Sequence, residues 1–320
     1  MSDAKTICIS HGNDPDGLIC AAYMRLLKDV SATLTDYNSL EDTLRSLKPT
    51  TGELFVSDLN LRGDAAKEIV RISKFARVTV VDHHFTPVET LEELKSSGVD
   101  LVYSLLDCAS ALLYDHFRDR LAKNAARLAA YASVSDQFEE GPIATELFTK
   151  FDKQLIQHEA LILNHALHYR KDAVFKSTII EELSRLTFPH RIRGVTDAAL
   201  AQLEQMTELI DILPKAAFRA GDMAYYEATT EASTGAVASL ILDALDVDVG
   251  LCYKKVDANT LNISLRGRRG LRLHLGELAQ SVAKKYGGSG GGHGQASGAI
   301  LPVQSLTSFI QDLEKELEQA

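Results

Sequence analysis

The sequence predicts an α/β protein in which a mainly parallel, doubly wound N-terminal sheet is joined to a smaller C-terminal α/β domain, and three observations carry that expectation. Short apolar strands alternate with helices of roughly ten residues through the first part of the chain, the pattern of βαβ units in a parallel sheet covered on both faces. The run Val78–Val81 (VTVV) is β-branched without polar alternation, as suits a strand buried on both sides, and it ends abruptly in Asp82, His83 and His84. Further along, the rhythm changes to strand, helix, hairpin, helix and a glycine-rich stretch, and 320 residues exceed what one hydrophobic core usually serves.

The chain opens with a strand over Thr6–Ser10 (TICIS) and a helix over Leu18–Leu27, joined by HGNDPDG, where Asp16 and Gly17 stand at an N-cap position. A strand at Ala32–Thr35, a helix at Leu40–Leu47, a strand at Leu54–Ser57 and a helix at Asp64–Ser73 lead to the central strand, Arg77–Val81. A further strand is expected over Val99–Ser104, then helices over Ala109–Leu121 and Asn124–Val134, the second running into SVSDQF and setting Asp136 at its end. From Pro142 to Leu186 apolar residues recur at helical spacing with few turn signals. Phe188–Gly194 (FPHRIRG) interrupts that run, and an amphipathic helix follows from Thr196 to Leu213. Residues 188–213 are therefore expected to connect domains at 1–187 and 214–320. The second domain reads as a strand at Met223–Ala228, a helix over Thr234–Leu245 beginning at a threonine cap, and a hairpin over Val249–Arg266 turning near Asp257–Asn259. A helix over Leu275–Tyr286, the stretch GGSGGGHGQASG, a short strand at Ala299–Leu301 and a charged amphipathic helix over Leu306–Leu317 complete it.

The formal net charge of −10, from 34 lysines and arginines against 44 aspartates and glutamates, argues against bulk binding to duplex nucleic acid or an anionic membrane, which runs on clustered cations. An anionic substrate must therefore be met by local positive features. Cys8, Cys20, Cys108 and Cys252 form no CxxC pair and have no histidine at zinc-finger spacing, so neither a disulfide framework nor a structural zinc site is indicated. A reducing, cytoplasmic setting is expected, since the N-terminus shows no basic segment followed by an apolar core and no run approaches ~20 apolar residues.

Four separated places share one chemical character: His11, Asp14 and Asp16 after the first strand, Asp58 after LFVS, the triplet Asp82, His83 and His84 after VTVV, and Asp136 in SVSDQF. The first three follow the carboxyl ends of expected parallel strands, which a doubly wound sheet brings to one edge. Oxygen and imidazole donors converging there suit Mn²⁺, Fe²⁺, Co²⁺ or Zn²⁺, and two divalent ions roughly 3.5 to 4 Å apart can clamp both oxygens of an in-line phosphoryl displacement. The glycine-rich stretch follows SLRGRRGLRLH, and glycines let backbone N–H groups approach an anion. His158, His165 and His168 lie on one expected helix with no acid or cysteine at ligand spacing, which favours surface or satisfied histidines.

In order along the chain, the HxxDxDG-like start, the SDLN aspartate, the DHH triplet, the later aspartate and the C-terminal GGGH resemble the DHH phosphoesterase superfamily, over nearly the whole length. The glycine-rich C-terminus and two-domain length look most like its oligoribonuclease (nanoRNase) and pAp-phosphatase branch, in which a DHH-associated domain binds substrate. The resemblance implies one metal held by His11, Asp14 and Asp58 and a second held by Asp16, Asp58, His83 and Asp136, with Asp58 shared. Mn²⁺ is the ion expected first, with Mg²⁺ or Co²⁺ as alternatives. It also implies that His84 contacts the scissile phosphate, that Asp82 orients the histidines, and that Arg266, Gly291, Gly292 and His293 grip the substrate's terminal nucleotide. Two departures stand out. Asp14 lies three residues after His11 where several branches have four, with Pro15 between the acids and Asn13 as an alternative donor, and Gln295 and Ser297 replace small alanines.

The activity so implied is attack of a metal-activated water on phosphodiester or phosphomonoester bonds of short single-stranded oligonucleotides or pAp-like nucleotides, by a monomer or homodimer, without a covalent enzyme intermediate. A RecJ-like single-strand exonuclease and a cyclic-dinucleotide phosphodiesterase are the alternatives; the former type usually carries an extra oligonucleotide-binding domain, for which 320 residues leave no room. A nucleotide-binding protein without catalysis is the reading from another class. Its signature would be a lost metal-binding acid, whereas Asp14, Asp16, Asp58 and Asp136 are all present.

Overall fold

The structure, a computed structural model, describes residues 5–48, 51–61, 64–228, 233–292 and 294–318. It divides into two compact units, Met1–Gln202 and Leu203–Ala320, which meet inside the stretch expected to connect the domains. His293, a candidate site residue, lies outside the described residues.

The first unit contains β1 (Lys5–His11), α1 (Pro15–Lys28), β2 (Ala32–Thr35), α2 (Leu40–Arg45), β3 (Thr51–Ser57), α3 (Asp64–Ser73), β4 (Arg77–Asp82), α4 (Val88–Ser96) and β5 (Asp100–Tyr103). Helices α5 (Ala109–Phe117), α6 (Ala126–Ser135), α7 (Pro142–Phe148), α8 (Lys153–Tyr169) and α9 (Ala173–Ser184) follow, and α10 (Val195–Ala216) spans the boundary between the units. The strands form one sheet in the order β2-β1-β3-β4-β5, parallel throughout. Successive residues serve opposite cores, as the period of two requires: Cys8, Phe55 and Val81 pack with α1, α5 and α6, whereas Ile9, Val56 and Val80 pack with α2, α3 and α4. Burial on both sides explains why VTVV carries no alternation.

Several boundaries differ from expectation for identifiable reasons. Helix α1 begins at Pro15 rather than Leu18, because Asp14 is the N-cap, its side chain accepting from Gly17 N at 3.1 Å, and Pro15 takes the first helical turn where no N–H is needed. The helical run from Pro142 to Leu186 is three helices, since Asp152 and Asp172 cap new starts by accepting from Leu155 N at 2.8 Å and Phe175 N at 2.9 Å. Helix α4 has no counterpart among the expected elements; only Leu94 of its residues is buried, so its apolar stripe is too thin to register.

The second unit continues with β6 (Phe218–Ala220), β7 (Met223–Glu227), α11 (Thr234–Leu245), β8 (Val249–Lys255), β9 (Thr260–Gly267), α12 (Leu275–Lys285), β10 (Ser289–Gly292), β11 (Ala296–Pro302) and α13 (Leu306–Glu318). Its mixed sheet runs β10-β11-β9-β8-β7-β6, with only β7 and β8 parallel. The N-cap of α11 is Ser233 rather than Thr234. The glycine-rich stretch is in part the edge strand β10, which packs directly on α12, since a β-carbon on Gly290 would stand 2.5 Å from Ala279 O; one on Gly292, at φ +139°, would stand 2.6 Å from Ala296 O of the neighbouring β11. Gly291 has open space there instead. Gly290→Ala is therefore expected to lose about 1–3 kcal/mol in urea unfolding, because the backbone it strikes cannot move aside, while Gly291→Ala stays within ~0.5 kcal/mol.

Candidate metal centre

Sheet order 2-1-3 makes the chain turn back between β1 and β3, so their carboxyl ends flank the switch point at which open α/β sheets leave a crevice. Ser10 Oγ ties the two strand ends together, donating to Gly17 O at 2.7 Å and lying 2.9 Å from Ser57 Oγ. Gly17 lets α1 start directly against β1, since a β-carbon there would be 2.2 Å from His11 O. This close approach delivers His11, Asp14 and Asp16 to the same edge as Asp58, Asp82, His83 and His84.

The seven side chains and Asp136 meet there. His11 Nδ1 is 2.7 Å from Asp14 Oδ2 and 3.5 Å from Asp58 Oδ2, yet neither contact has hydrogen-bond geometry, and His11 Nδ1 and Asp58 Oδ2 are buried without a hydrogen-bond partner. His83 Nε2 faces three carboxylates, Asp58 Oδ1 at 3.2 Å, Asp136 Oδ2 at 3.6 Å and Asp16 Oδ2 at 3.9 Å. Asp16 is fixed by the start of α5, accepting from Ala109 N at 2.8 Å and Ser110 N at 2.7 Å. His84 Nδ1 lies 2.8 Å from Asp82 Oδ1, which leaves Nε2 as its outward nitrogen. Asp58 follows β3 in the left-handed region at φ +57°, a conformation that turns its carboxylate toward both histidines' sides of the crevice and that aspartate tolerates better than most residues.

Electrostatics makes this cluster unstable by itself. Three groups have donor atoms all within 4.8 Å of one another: His11, Asp14 and Asp58; Asp16, Asp58, His83 and Asp136; and Asp58, His83 and His84. At that separation two ionised carboxylates repel by roughly 3–4 kcal/mol at an effective dielectric of ~20. Burial, reinforced by Asp14, Asp16 and Asp136, drives the Asp58 pKa well above the usual carboxylate range, and burial with Asp16 and Asp14 does the same to Asp136. Asp136 is also the C-cap of α6, at the negative end of the helix. Burial lowers the His83 pKa. For His84 burial acts downward too, but the Asp82 hydrogen bond and charge outweigh it and the pKa is raised. Unpartnered buried nitrogen and oxygen, acids forced together and no thiolate make a donor set suited to hard or borderline divalent cations. The residues present fit such ions.

Two residues at this edge escaped the sequence reading. Tyr37, in the loop after β2, stacks on His11 with ring centroids 4.5 Å apart and places its hydroxyl 3.0 Å from His84 Nε2. Lys176, from α9, donates to Asn13 Oδ1 at 3.3 Å and lines a cavity of about 360 Å³ with Gly12, Asn13 and Thr35. The available signal for Tyr37 was its position after a strand of the same sheet, at the edge where the ligands collect.

In the second unit, Arg266 lies on β9 over the first turn of α11, where a β-carbon on Gly235 would stand 2.5 Å from its Nη2. Its Nη1 donates to Leu265 O at 2.9 Å, burial lowers its pKa, and no carboxylate pairs with it among the described residues. Arg268 by contrast is paired with Asp246 at 2.7 Å on the surface. Gly291 and Gly292 lie on β10, and His158 Nδ1 is 2.7 Å from Gln154 O. The four cysteines are buried and free. No helix among the described residues is long and apolar enough to cross a membrane.

Comparison with known proteins agrees with this architecture. Residues 222–319 match the DHHA1 domain family. The fold is similar to the pGpG-specific phosphodiesterase PggH from Vibrio cholerae, at 13% identity and a TM-score of 0.61, covering 98% of this chain and 99% of that one. It is also similar to the DHH domain of a member of the S1p family of ribosomal proteins, at 16% identity and a TM-score of 0.71, covering 98% and 86%. RecJ from Thermus thermophilus in complex with Mn²⁺ matches at 17% identity and a TM-score of 0.62, covering 99% of this chain and 52% of that one. An uncharacterized protein of Methanocaldococcus jannaschii is 29% identical over 115 residues, which is 35% of this chain and 26% of that protein, so the match spans about a quarter of that relative. The chain has the fold of the DHH phosphoesterase superfamily, with a C-terminal DHHA1 domain.

If like-charge crowding is what a cation relieves, Asp58→Asn should melt in chelator at or above the wild-type temperature. Saturating Mn²⁺ should raise the wild-type midpoint by roughly 5 °C or more and the variant's by less than half as much, as differential scanning fluorimetry would record.

Proposed function

We propose that this protein is a metal-dependent phosphoesterase that hydrolyses very short single-stranded oligonucleotides, dinucleotides foremost, or small phosphorylated nucleotides. The observation that carries the reading is Asp58, common to all three donor groups, two of which gather acids that cannot all stay ionised without cations between them. In this assignment His11, Asp14 and Asp58 hold one ion, and Asp16, Asp58, His83 and Asp136 hold the other. Mn²⁺ is the first choice, with Mg²⁺ or Co²⁺ as alternatives. Bound there, the pair would polarise the phosphoryl oxygens and lower the pKa of an attacking water.

The chain's own residues supply the rest. Asp82 fixes the His84 ring through Nδ1 and favours its charged form, so Nε2 is set to donate to a non-bridging phosphoryl oxygen. Arg266, half-buried with no carboxylate paired to it among the described residues, answers the need for a local positive feature in an acidic protein by receiving a phosphate of the terminal nucleotide, with Gly291 and Gly292 two strands away in the same sheet as further contacts. His293, which lies outside the described residues, is assigned to the same grip by the family resemblance alone.

A small substrate is preferred over a long strand for a specific reason. The similarity to a pGpG-specific phosphodiesterase extends over 99% of that chain and that to a manganese-bound exonuclease RecJ over 92%, so it is the net charge of −10, which disfavours tracking a long polyanion, that tips the reading to a small substrate. pGpG-like dinucleotides are thus the first substrates to try. Labelled two- to five-nucleotide RNAs and DNAs, with pAp and a cyclic dinucleotide alongside, should show fastest Mn²⁺-dependent turnover on the shortest linear chains. Full activity after exhaustive chelation would contradict the reading, and equal rates on long strands would shift it to a RecJ-like exonuclease. Arg266→Ala is expected to weaken dinucleotide binding by about 10- to 100-fold, the loss of one charge-assisted hydrogen bond, with metal binding unchanged. Kd measurements for the dinucleotide and calorimetric Mn²⁺ titration of the same variant check both halves.

A further inference from the structure

We infer that Tyr37 is a second hydrogen-bond donor to the scissile phosphate, acting beside His84 on the same non-bridging oxygen. The inference rests on the phosphoesterase reading and adds a catalytic residue to it. His84 has two ring nitrogens, and Asp82 occupies Nδ1 at 2.8 Å, so a phosphoryl oxygen can meet the ring only at Nε2. The Tyr37 hydroxyl lies 3.0 Å from that same nitrogen. Two donors that close share one acceptor naturally: an oxygen at ordinary hydrogen-bond distance from Nε2 is also within reach of the phenol, and it can take both protons on its lone pairs.

Two histidines flank the ring and favour this position. It stacks on His11 at 4.5 Å and 26°, and meets the His84 ring edge-on at 5.3 Å and 72°. The residue is 45% exposed, so it stands at the solvent-facing side of the cluster, where a ligand would arrive. Without substrate the hydroxyl and Nε2 satisfy each other. With substrate both turn to the phosphoryl oxygen, where developing charge strengthens the bonds in the transition state more than in the ground state.

Tyr37→Phe removes the hydroxyl and keeps the ring on His11. For a Mn²⁺-loaded protein and a dinucleotide substrate, kcat should fall about 10- to 100-fold while KM stays within about threefold, and the Mn²⁺-induced rise in melting temperature should match wild type. Replacing the contacted oxygen by sulfur, a poor acceptor, should erase most of the difference between variant and wild type for one of the two phosphorothioate diastereomers. A kcat within twofold of wild type would overturn the inference. So would a variant that loses the Mn²⁺-induced shift, which would make Tyr37 a support for His11, or an equal penalty on both diastereomers and the oxygen substrate, which would leave it orienting His84 without touching phosphate. A wild-type protein without metal-dependent turnover would overturn the phosphoesterase reading itself, whereas an active wild type with an unimpaired phenylalanine variant overturns only the role of Tyr37.

Discussion

Repulsion among buried carboxylates at the end of a parallel sheet is the constraint on which the rest of this structure depends. Asp14, Asp16, Asp58 and Asp136 come from a loop, a first helical turn, a strand end and a helix C-terminus, and nothing local obliges them to meet. They converge because β1 and β3 are neighbours at the switch point and because the start of α5 holds Asp16 by two backbone N–H groups. The fold thus spends stability to assemble charge of one sign in a dry place. Such an arrangement is sustainable only with cations to neutralise it or with protonation of its most crowded members, the direction in which Asp58 and Asp136 are already driven.

The supporting residues divide the work by chemistry. In the proposed assignment, His11 and His83 would each turn one nitrogen to an ion, while His84, with Asp82 2.8 Å behind its Nδ1, would turn Nε2 to substrate. An overall charge of −10 makes positive features scarce and therefore informative. Arg266 in the second unit and Lys176 at the rim of the first are such features, and neither is neutralised by a salt bridge among the described residues.

Much of this was legible in the sequence because the signals were strong and local. The VTVV strand and the alternation around it fixed the sheet, and short polar clusters after successive strands pointed to one edge, where the structure does bring His11, Asp14, Asp16, Asp58, Asp82, His83, His84 and Asp136 together. What escaped notice had weak or misleading signals. Helix α4 buries a single leucine, the glycines of β10 look like a loop although Gly290 lets the strand press on α12 and Gly292 lets it lie close to β11, and aspartate caps inside a long helical pattern are easily read as solvent-facing residues. Tyr37 follows a four-residue strand in a polar segment, and only the third dimension brings its ring between His11 and His84.

The central claim is that Asp58 joins two metal positions into one centre. Titration of metal-free protein with Mn²⁺, followed by electron paramagnetic resonance, tests it most directly. The account predicts that two equivalents bind and that the second converts the six-line signal of isolated Mn²⁺ into the broad spectrum of an exchange-coupled pair, a conversion lost in Asp58→Asn. Binding of a single equivalent, or of two that remain magnetically independent in the wild-type protein, would contradict it.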